Sequence, residues 1–333
     1  MKVAIDAMGG DFAPAEIVTG AVQGAELHEV DIILIGDEPA IRFHLPKTFA
    51  RVEIRHTTET VEMGEHASAI RTKRDASVVI AADLVRDGVA DAMISVGNTA
   101  AAMAVATLRL GRIQGIDRPA IMAMFPHQKG YTAVLDAGAV ADCEVEHLMQ
   151  FAVMGSVYAE KVMSIPSPRV ALLSIGEEPS KGNELTRSAH RELAVSGLNF
   201  IGNVEGRHLF SGAADVIVCD GFVGNIALKT AEGLAEYVVG LLKQEILESP
   251  LLRIPLLLLK PAAKRLRKKI DYSEYGGAPL LGLNGICIIG HGRSNARAVA
   301  NAVSVAKSAV ASKLVSAIRE NVVAYVNQAP KVS

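Results

Sequence analysis

The feature that most constrains this chain is an alternation. From the first residue to about residue 230, short β-rich runs take turns with longer stretches of helical periodicity. The runs read as strands are 2–5, 31–35, 52–56, 92–96, 131–136, 169–174, 198–202, 215–219 and, further on, 285–289. Helical patterns fall at 14–27, 77–87, 99–110, 144–162, 183–195 and 226–247. Strands separated by helices of that length form βαβ units, which predicts an α/β fold: three layers, α/β/α, around a mainly parallel sheet. Such strands are buried on both faces, so the core must be rich in branched aliphatics and alanine. The composition agrees, with half the residues hydrophobic, only 4% aromatic and no tryptophan.

No internal repeat or low-complexity tract divides the 333 residues, and they are read as a single α/β/α catalytic unit. Residues 226–270 stand apart. Leu228, Ala231, Leu234, Val238 and Leu242 recur at helical spacing, Pro250, Pro255 and Pro261 interrupt, and Leu259, Ala262, Ala263, Leu266 and Ile270 resume the period. This predicts a projecting helical hairpin whose apolar stripes pack against a second copy of the chain.

A formal net charge of -2 gives no reason to expect nucleic acid as a partner. Cys143, Cys219 and Cys287 are widely spaced in apolar runs, which suggests reduced thiols and neither a disulfide framework nor a metal knuckle. The N-terminus enters a strand directly and nothing approaches the length of a bilayer span, so a cytoplasmic protein is expected.

In a parallel α/β sheet, ligands gather beyond the carboxyl ends of the strands, where helix N-termini point amide groups outward. Six such turns are rich in Gly, Asn, Asp, Ser and Thr: 6–11, 95–99, 136–139, 176–183, 220–225 and 290–295. Each, singly, is what any strand-to-helix turn uses for caps and positive φ. Together, with Lys181 at a helix start, they favour a phosphate-bearing or polyanionic ligand. The first turn is no G-x-G-x-x-G, and no G-x-S-x-G, H-E-x-x-H or C-x-x-C occurs. His147 reads as a helix cap or packing residue, whereas His291, between two glycines after a strand, is a candidate acid/base group. Arg71, Lys73 and Arg74 form a basic run whose default reading is solvated charge.

Taken in order, residues 5–11, 97–99, 113–119, 150–156, 175–178 with 181–184, 202–207, 220–226, 228–230 and 271–282 closely resemble the bacterial phosphate acyltransferases of the PlsX type. The resemblance runs from residue 1 to about residue 320. It implies an acyl-ACP:phosphate acyltransferase of phospholipid synthesis, moving a long-chain acyl group from acyl carrier protein to inorganic phosphate. Also implied are the fold shared by phosphate acetyltransferase and isopropylmalate dehydrogenase, a homodimer, functional coupling to a membrane-bound glycerol-3-phosphate acyltransferase, and no metal or organic cofactor. Two positions depart from the family: Ala100 stands where Gly is common, and Val140 where Asn is common.

From the reactants, Lys181 and Asn183 are expected to hold phosphate. Asn225 or the amides of Gly97, Asn98 and Thr99 would meet the oxyanion, and His291 or Arg293 would assist the thiolate or the phosphate. Gly9, Gly10, Asp11, Asp220 and Ser294 complete the expected binding set. The rivals are a decarboxylating dehydrogenase on the same fold, which needs a dinucleotide site and a carboxylate cluster, and a non-catalytic membrane-associated scaffold. The apolar tip Leu256, Leu257, Leu258 and Leu259, followed by Lys264, Arg265 and Lys268, fits shallow insertion into an anionic leaflet, at about 1 kcal/mol per basic residue. A peripheral location on the inner face of the cell membrane is the expectation, the alternative being a dimer hairpin whose tip is buried by its partner.

Overall fold

The computed structural model describes residues 1–47, 49–248 and 276–328. The hairpin tip and basic cluster, with Leu256, Leu257, Leu258, Leu259, Lys264, Arg265 and Lys268, lie outside the described residues. The strands are β1 Lys2–Asp6, β2 Asp31–Gly36, β3 Val52–His56, β4 Ala92–Ser95, β5 Ala120–His127, β6 Gly130–Leu135, β7 Val170–Leu173, β8 Phe200–Val204, β9 Val216–Val218, β10 Ala278–Leu281 and β11 Ile286–Ile289. The helices are α1 Ala15–His28, α2 Glu38–His44, α3 Ser77–Arg86, α4 Thr99–Leu110, α5 Val145–Lys161, α6 Glu184–Leu193, α7 Gly221–Glu248, α8 Ala296–Ala311 and α9 Leu314–Gln328.

Among the described residues eleven strands join one sheet, in the order β3-β2-β1-β4-β11-β10-β5-β6-β9-β7-β8. Its strands feed two cores. Val3 and Ile5 face one with Ile32 and Leu34, while Ala4, Ile33 and Ile35 face the other. The first core is covered by α1, α5, α8 and α9, the second by α3, α4 and the start of α7. The expected α/β/α arrangement is therefore present, with aliphatic alternation feeding both faces.

β1, β2, β3, β4 and β11 are mutually parallel, as are β6, β7, β8 and β9. Three antiparallel pairings link the groups: β11 with β10, β10 with β5, and β5 with β6. The two halves therefore run in opposite directions. The four-residue β10 offsets them, pairing Ala278 and Pro279 with β11 and Leu280 and Leu281 with β5. Because Ser95 is level with Ile289, Ile289 with Ala278, Leu280 with Ile121, and Met122 with Leu135, the carboxyl ends of both halves reach nearly the same level. One rim thus collects turns from both.

Helix α7 enters this rim under a tight steric condition. The Gly221 amide donates to the Val140 carbonyl at 2.8 Å, and a Cβ on Gly224 would collide with the backbone carbonyl of Asp136. Farther along, Leu228 and Ala231 pack on the core, whereas Leu234, Tyr237, Val238, Leu241 and Leu242 are exposed. The expected stripe thus begins in the body and leaves it. Among the described residues no single helix is long and apolar enough to cross a membrane.

Gly224→Ala should lower stability by about 1–3 kcal/mol through this overpacking. Thermal unfolding of the variant beside a Gly233→Ala control, where an added Cβ meets nothing within 4 Å, measures it. Equal effects at the two positions would show that helix entry is not sterically set.

Candidate active site

Each half of the rim is organised by a buried carboxylate. In the first, Asp6 ends β1 and accepts hydrogen bonds from Ser77 Oγ at 2.6 Å and Ser95 Oγ at 2.8 Å. Burial pushes its pKa up against these donors. A Cβ at Gly9 would approach the Asp6 carboxylate to 2.6 Å and the Gly97 backbone to 2.9 Å, so only glycine lets the two turns cross here. The Asp11 amide then donates to Gly292 O at 2.8 Å, tying in the turn after β11.

In the second half, Asp136 lies after β6 and is completely buried. Its carboxylate accepts from the amides of Ile121 at 2.9 Å, Gly138 at 3.1 Å, Ala139 at 2.8 Å and Val140 at 2.7 Å. Burial again raises its pKa while the amides oppose that shift. Val140 thus contributes its backbone, through an amide to Asp136 and a carbonyl to Gly221. Asn225, one turn into α7, packs over Gly138.

Between the two carboxylates lies a cleft of about 210 Å³. Ile121, Met122, Ala123, Met124 and Leu228 make an apolar wall, while Thr99, Asn225, Lys229, Glu232, His291 and Ser294 supply polar groups. The Arg293 amide donates to His291 Nδ1 at 3.1 Å, which places the proton of the neutral ring on Nε2. Burial, then the positive charge of Lys229, hold the His291 pKa below 6.5; Glu232 and Asp11 act in the opposite sense and Arg293 reinforces the lowering. Buried Ser294 donates its hydroxyl to the His291 carbonyl at 2.6 Å, fixing the turn.

The structure thus brings Thr99, Asn225, His291 and Ser294 into one cleft, with Arg293 and Asp11 close enough to act on His291. Gly9, Gly10 and Gly97 form the crossing behind it. Asn98 caps α4 by accepting from the Ala101 amide at 3.0 Å, and its amide group donates to Glu65 O at 2.7 Å. Asp220 caps α7 through the Val223 amide at 2.8 Å. Asn183 caps α6 through the Thr186 amide at 2.9 Å. Lys181 is exposed on the turn after β7, its stem across Gly176, and does not line the cleft. Lys229 and Glu232 are cleft residues that the sequence reading did not assign. They share one face of α7 with Asn225, at i+4 and i+7, and that spacing was the available signal.

Elsewhere the expectations resolve simply. His147 caps α5, its Nδ1 accepting from the Glu144 amide at 3.0 Å, and Lys73 is engaged with Glu65 at 2.7 Å. Among the described residues no group of three or more His, Cys, Asp or Glu side chains could hold a metal ion. Burial pushes the Cys143 and Cys287 thiols up to about 12, and Cys219, adjoining Asp220 and Asp136, also rises well above its ordinary value.

A reversed-half sheet with a rim cleft defines the phosphotransacetylase-like α/β/α fold. The phosphotransacetylase of Streptococcus pyogenes superposes with a TM-score of 0.62 at 17% identity, covering 92% of this chain and 94% of that one. The 4-hydroxythreonine-4-phosphate dehydrogenase of Klebsiella pneumoniae superposes with a TM-score of 0.54 at 13% identity, covering 93% and 97%. These likenesses concern the fold alone. The model of the family described as "Fatty acid synthesis protein" matches residues 1–317, and the chain belongs to that family. Relatives named phosphate acyltransferase include that of Pelotomaculum thermopropionicum, 53% identical over 97% of this chain and 95% of the relative. That of Desulfitobacterium hafniense is 51% identical over 96% and 97%.

A thiol with so high a pKa is a poor nucleophile at neutral pH. Iodoacetamide at neutral pH should therefore leave the native protein unmodified and label all three cysteines only after unfolding, as read by intact mass. Rapid labelling of the native chain would reopen a cysteine-borne intermediate.

Proposed function

We propose that the cleft transfers a long-chain fatty acyl group from the thioester of acyl carrier protein to inorganic phosphate, producing acyl phosphate for phospholipid synthesis. The observation that carries this reading is the meeting, within one cleft, of an apolar β5 wall with Asn225 and His291 from opposite halves of the sheet. Close relatives named phosphate acyltransferase support it.

In the proposed step, a phosphate oxygen attacks the thioester carbonyl carbon. A C–O bond forms, the C–S bond breaks, and the electron pair leaves with sulfur. Hydrogen phosphate brings one proton that the acyl phosphate product releases, and the departing thiolate takes one up. The proton of hydrogen phosphate passes to the departing thiolate, so the reaction needs no external acid, and the Nε2–H of the neutral His291 ring is suited to donate a hydrogen bond to the phosphate or to the sulfur as charge moves between them. The Asn225 carboxamide, set on the first turn of α7, is suited to donate to the oxyanion that forms in between. The apolar wall seats the first carbons of the chain and excludes water, which would otherwise compete with phosphate.

The fit between α7 and a partner copy belongs to the same reading. Its exposed Leu234, Tyr237, Val238, Leu241 and Leu242 support dimerisation through the stem, with residues 249–269 touching an anionic membrane surface. An enzyme so placed would deliver a greasy product to a membrane-bound glycerol-3-phosphate acyltransferase.

Release of free thiol from acyl carrier protein should depend on added phosphate, with acyl phosphate detected by mass spectrometry. No release, or release indifferent to phosphate, would favour the scaffold reading. His291→Ala should lower kcat by roughly 10²- to 10³-fold, as expected for loss of one preorganised donor. Because protonation at Nδ1 would break the Arg293 amide hydrogen bond that fixes the ring, and burial lowers its pKa from the ordinary histidine value of 6.5, the loss of wild-type kcat that this ring causes on acidification should be centred below pH 6.5. A decline centred above that value would remove His291 from the step.

Leu257→Glu with Leu258→Glu should release the protein from anionic vesicles in a flotation assay while leaving the dimer intact by light scattering. Retained vesicle binding would place the membrane contact elsewhere.

A further inference from the structure

The cation that receives phosphate has two candidates in this chain, and geometry separates them. Lys181 sits on the exposed turn after β7, on the far side of β9 from β6. Lys229 lines the cleft with Asn225 and His291. It projects from the same face of α7 as Asn225, one turn farther on, where helix docking through Gly221 and Gly224 fixes the register of both.

Lys229 also has a defined resting partner. Its Nζ lies 2.7 Å from Glu232 Oε2, three residues along the helix. The lysine side chain is 52% exposed and the glutamate 27%, so water still reaches the pair. A partly solvated ion pair of this kind contributes little net stability and exchanges readily. Phosphate carries more negative charge than one carboxylate and presents several strong acceptor oxygens, so it competes well for an ammonium group held in a cleft. Without an anion, Glu232 balances Lys229. With one, the carboxylate gives way.

We infer that Lys229 anchors inorganic phosphate in the cleft and that Glu232 is its resting counter-charge, which phosphate displaces. The anion's identity rests on the proposed acyl transfer; the exchange at Lys229 does not. An ammonium at this position draws the phosphate toward the Asn225 side of the cleft, with the Nε2–H of His291 beside it. The apolar β5 wall is left to the acyl group.

The test uses the full-length protein and inorganic phosphate, read in two ways. In steady-state assays, Lys229→Met should raise the phosphate KM roughly 10- to 100-fold, as expected for loss of a charged hydrogen bond. The KM for the acyl carrier thioester should stay within about twofold, and Lys229→Arg should recover part of the loss. Glu232→Gln should lower the phosphate KM several-fold, because the competing carboxylate is gone; a purely structural glutamate would not produce that gain. An unchanged phosphate KM in Lys229→Met, or a rise in Lys181→Met alone, overturns the anchor. An unchanged or raised KM in Glu232→Gln overturns the exchange. Phosphorus-31 line broadening of phosphate by each variant reads the anchor without turnover. If the wild type binds phosphate through Lys229 yet releases no thiol, the acyl-transfer reading fails and the anchor stands. If thiol release is phosphate-dependent but broadening and KM ignore Lys229, the reverse holds.

Discussion

The whole arrangement depends on strand direction. Parallel strands deliver their carboxyl ends, with the helix N-termini that follow them, to one side only. Two such sheets joined in parallel would make one long rim, and joined by a simple reversal would place their rims far apart. Here the reversals through β10 and β5 are combined with an offset of nearly a strand length, because β10 pairs with one neighbour by its first two residues and with the other by its last two. The rims are brought to face one another across a short gap. Side chains from separate halves, such as Asn225 and His291, then line one cleft.

Both rims solve the same local problem with the same device. A turn that must bring backbone close to backbone leaves amides pointing inward, and a buried carboxylate gathers them. Asp136 takes four amide donors and Asp6 takes two serine hydroxyls, each in a position where burial alone would favour the neutral acid. Glycine follows as the necessary companion. At Gly9 and Gly221 an added Cβ would lie 2.6 Å from the carboxylate oxygen of Asp6 and Asp136 respectively.

Much of the fold was legible because aliphatic alternation and helical periodicity are strong signals where both faces of a strand are buried. β3 and α4 match their expected limits, and most other elements shift by a residue or two. β5 and β10 escaped. The first reads Ala-Ile-Met-Ala-Met-Phe-Pro-His, rich in residues without strand preference, and the second is only four residues with a proline. They are the strands that reverse the sheet, so the global arrangement of the rim lay beyond periodicity. At the site, Gly and Asx residues marked turns that meet at the rim, but residue type alone does not assign a role. An oxygen that caps a helix and one that binds a ligand belong to the same side chains, and Asn98, Asn183 and Asp220 spend theirs on their own helices. Lys229 and Glu232 were hidden for a different reason: they sit beyond the turn, inside a helical pattern that reads as packing until a neighbouring strand gives its inner face a cleft.

Helix α7 has one end locked in this rim and runs for 28 residues, about 42 Å at helical rise. Mechanically it is a lever whose fulcrum is the end beside the cleft. A tilt of about 5° carries the far end roughly 4 Å while moving Asn225, four residues from the pivot, by only about 0.5 Å. Whatever displaces the distal half of the helix, the geometry of the cleft at its base is mechanically insulated from it.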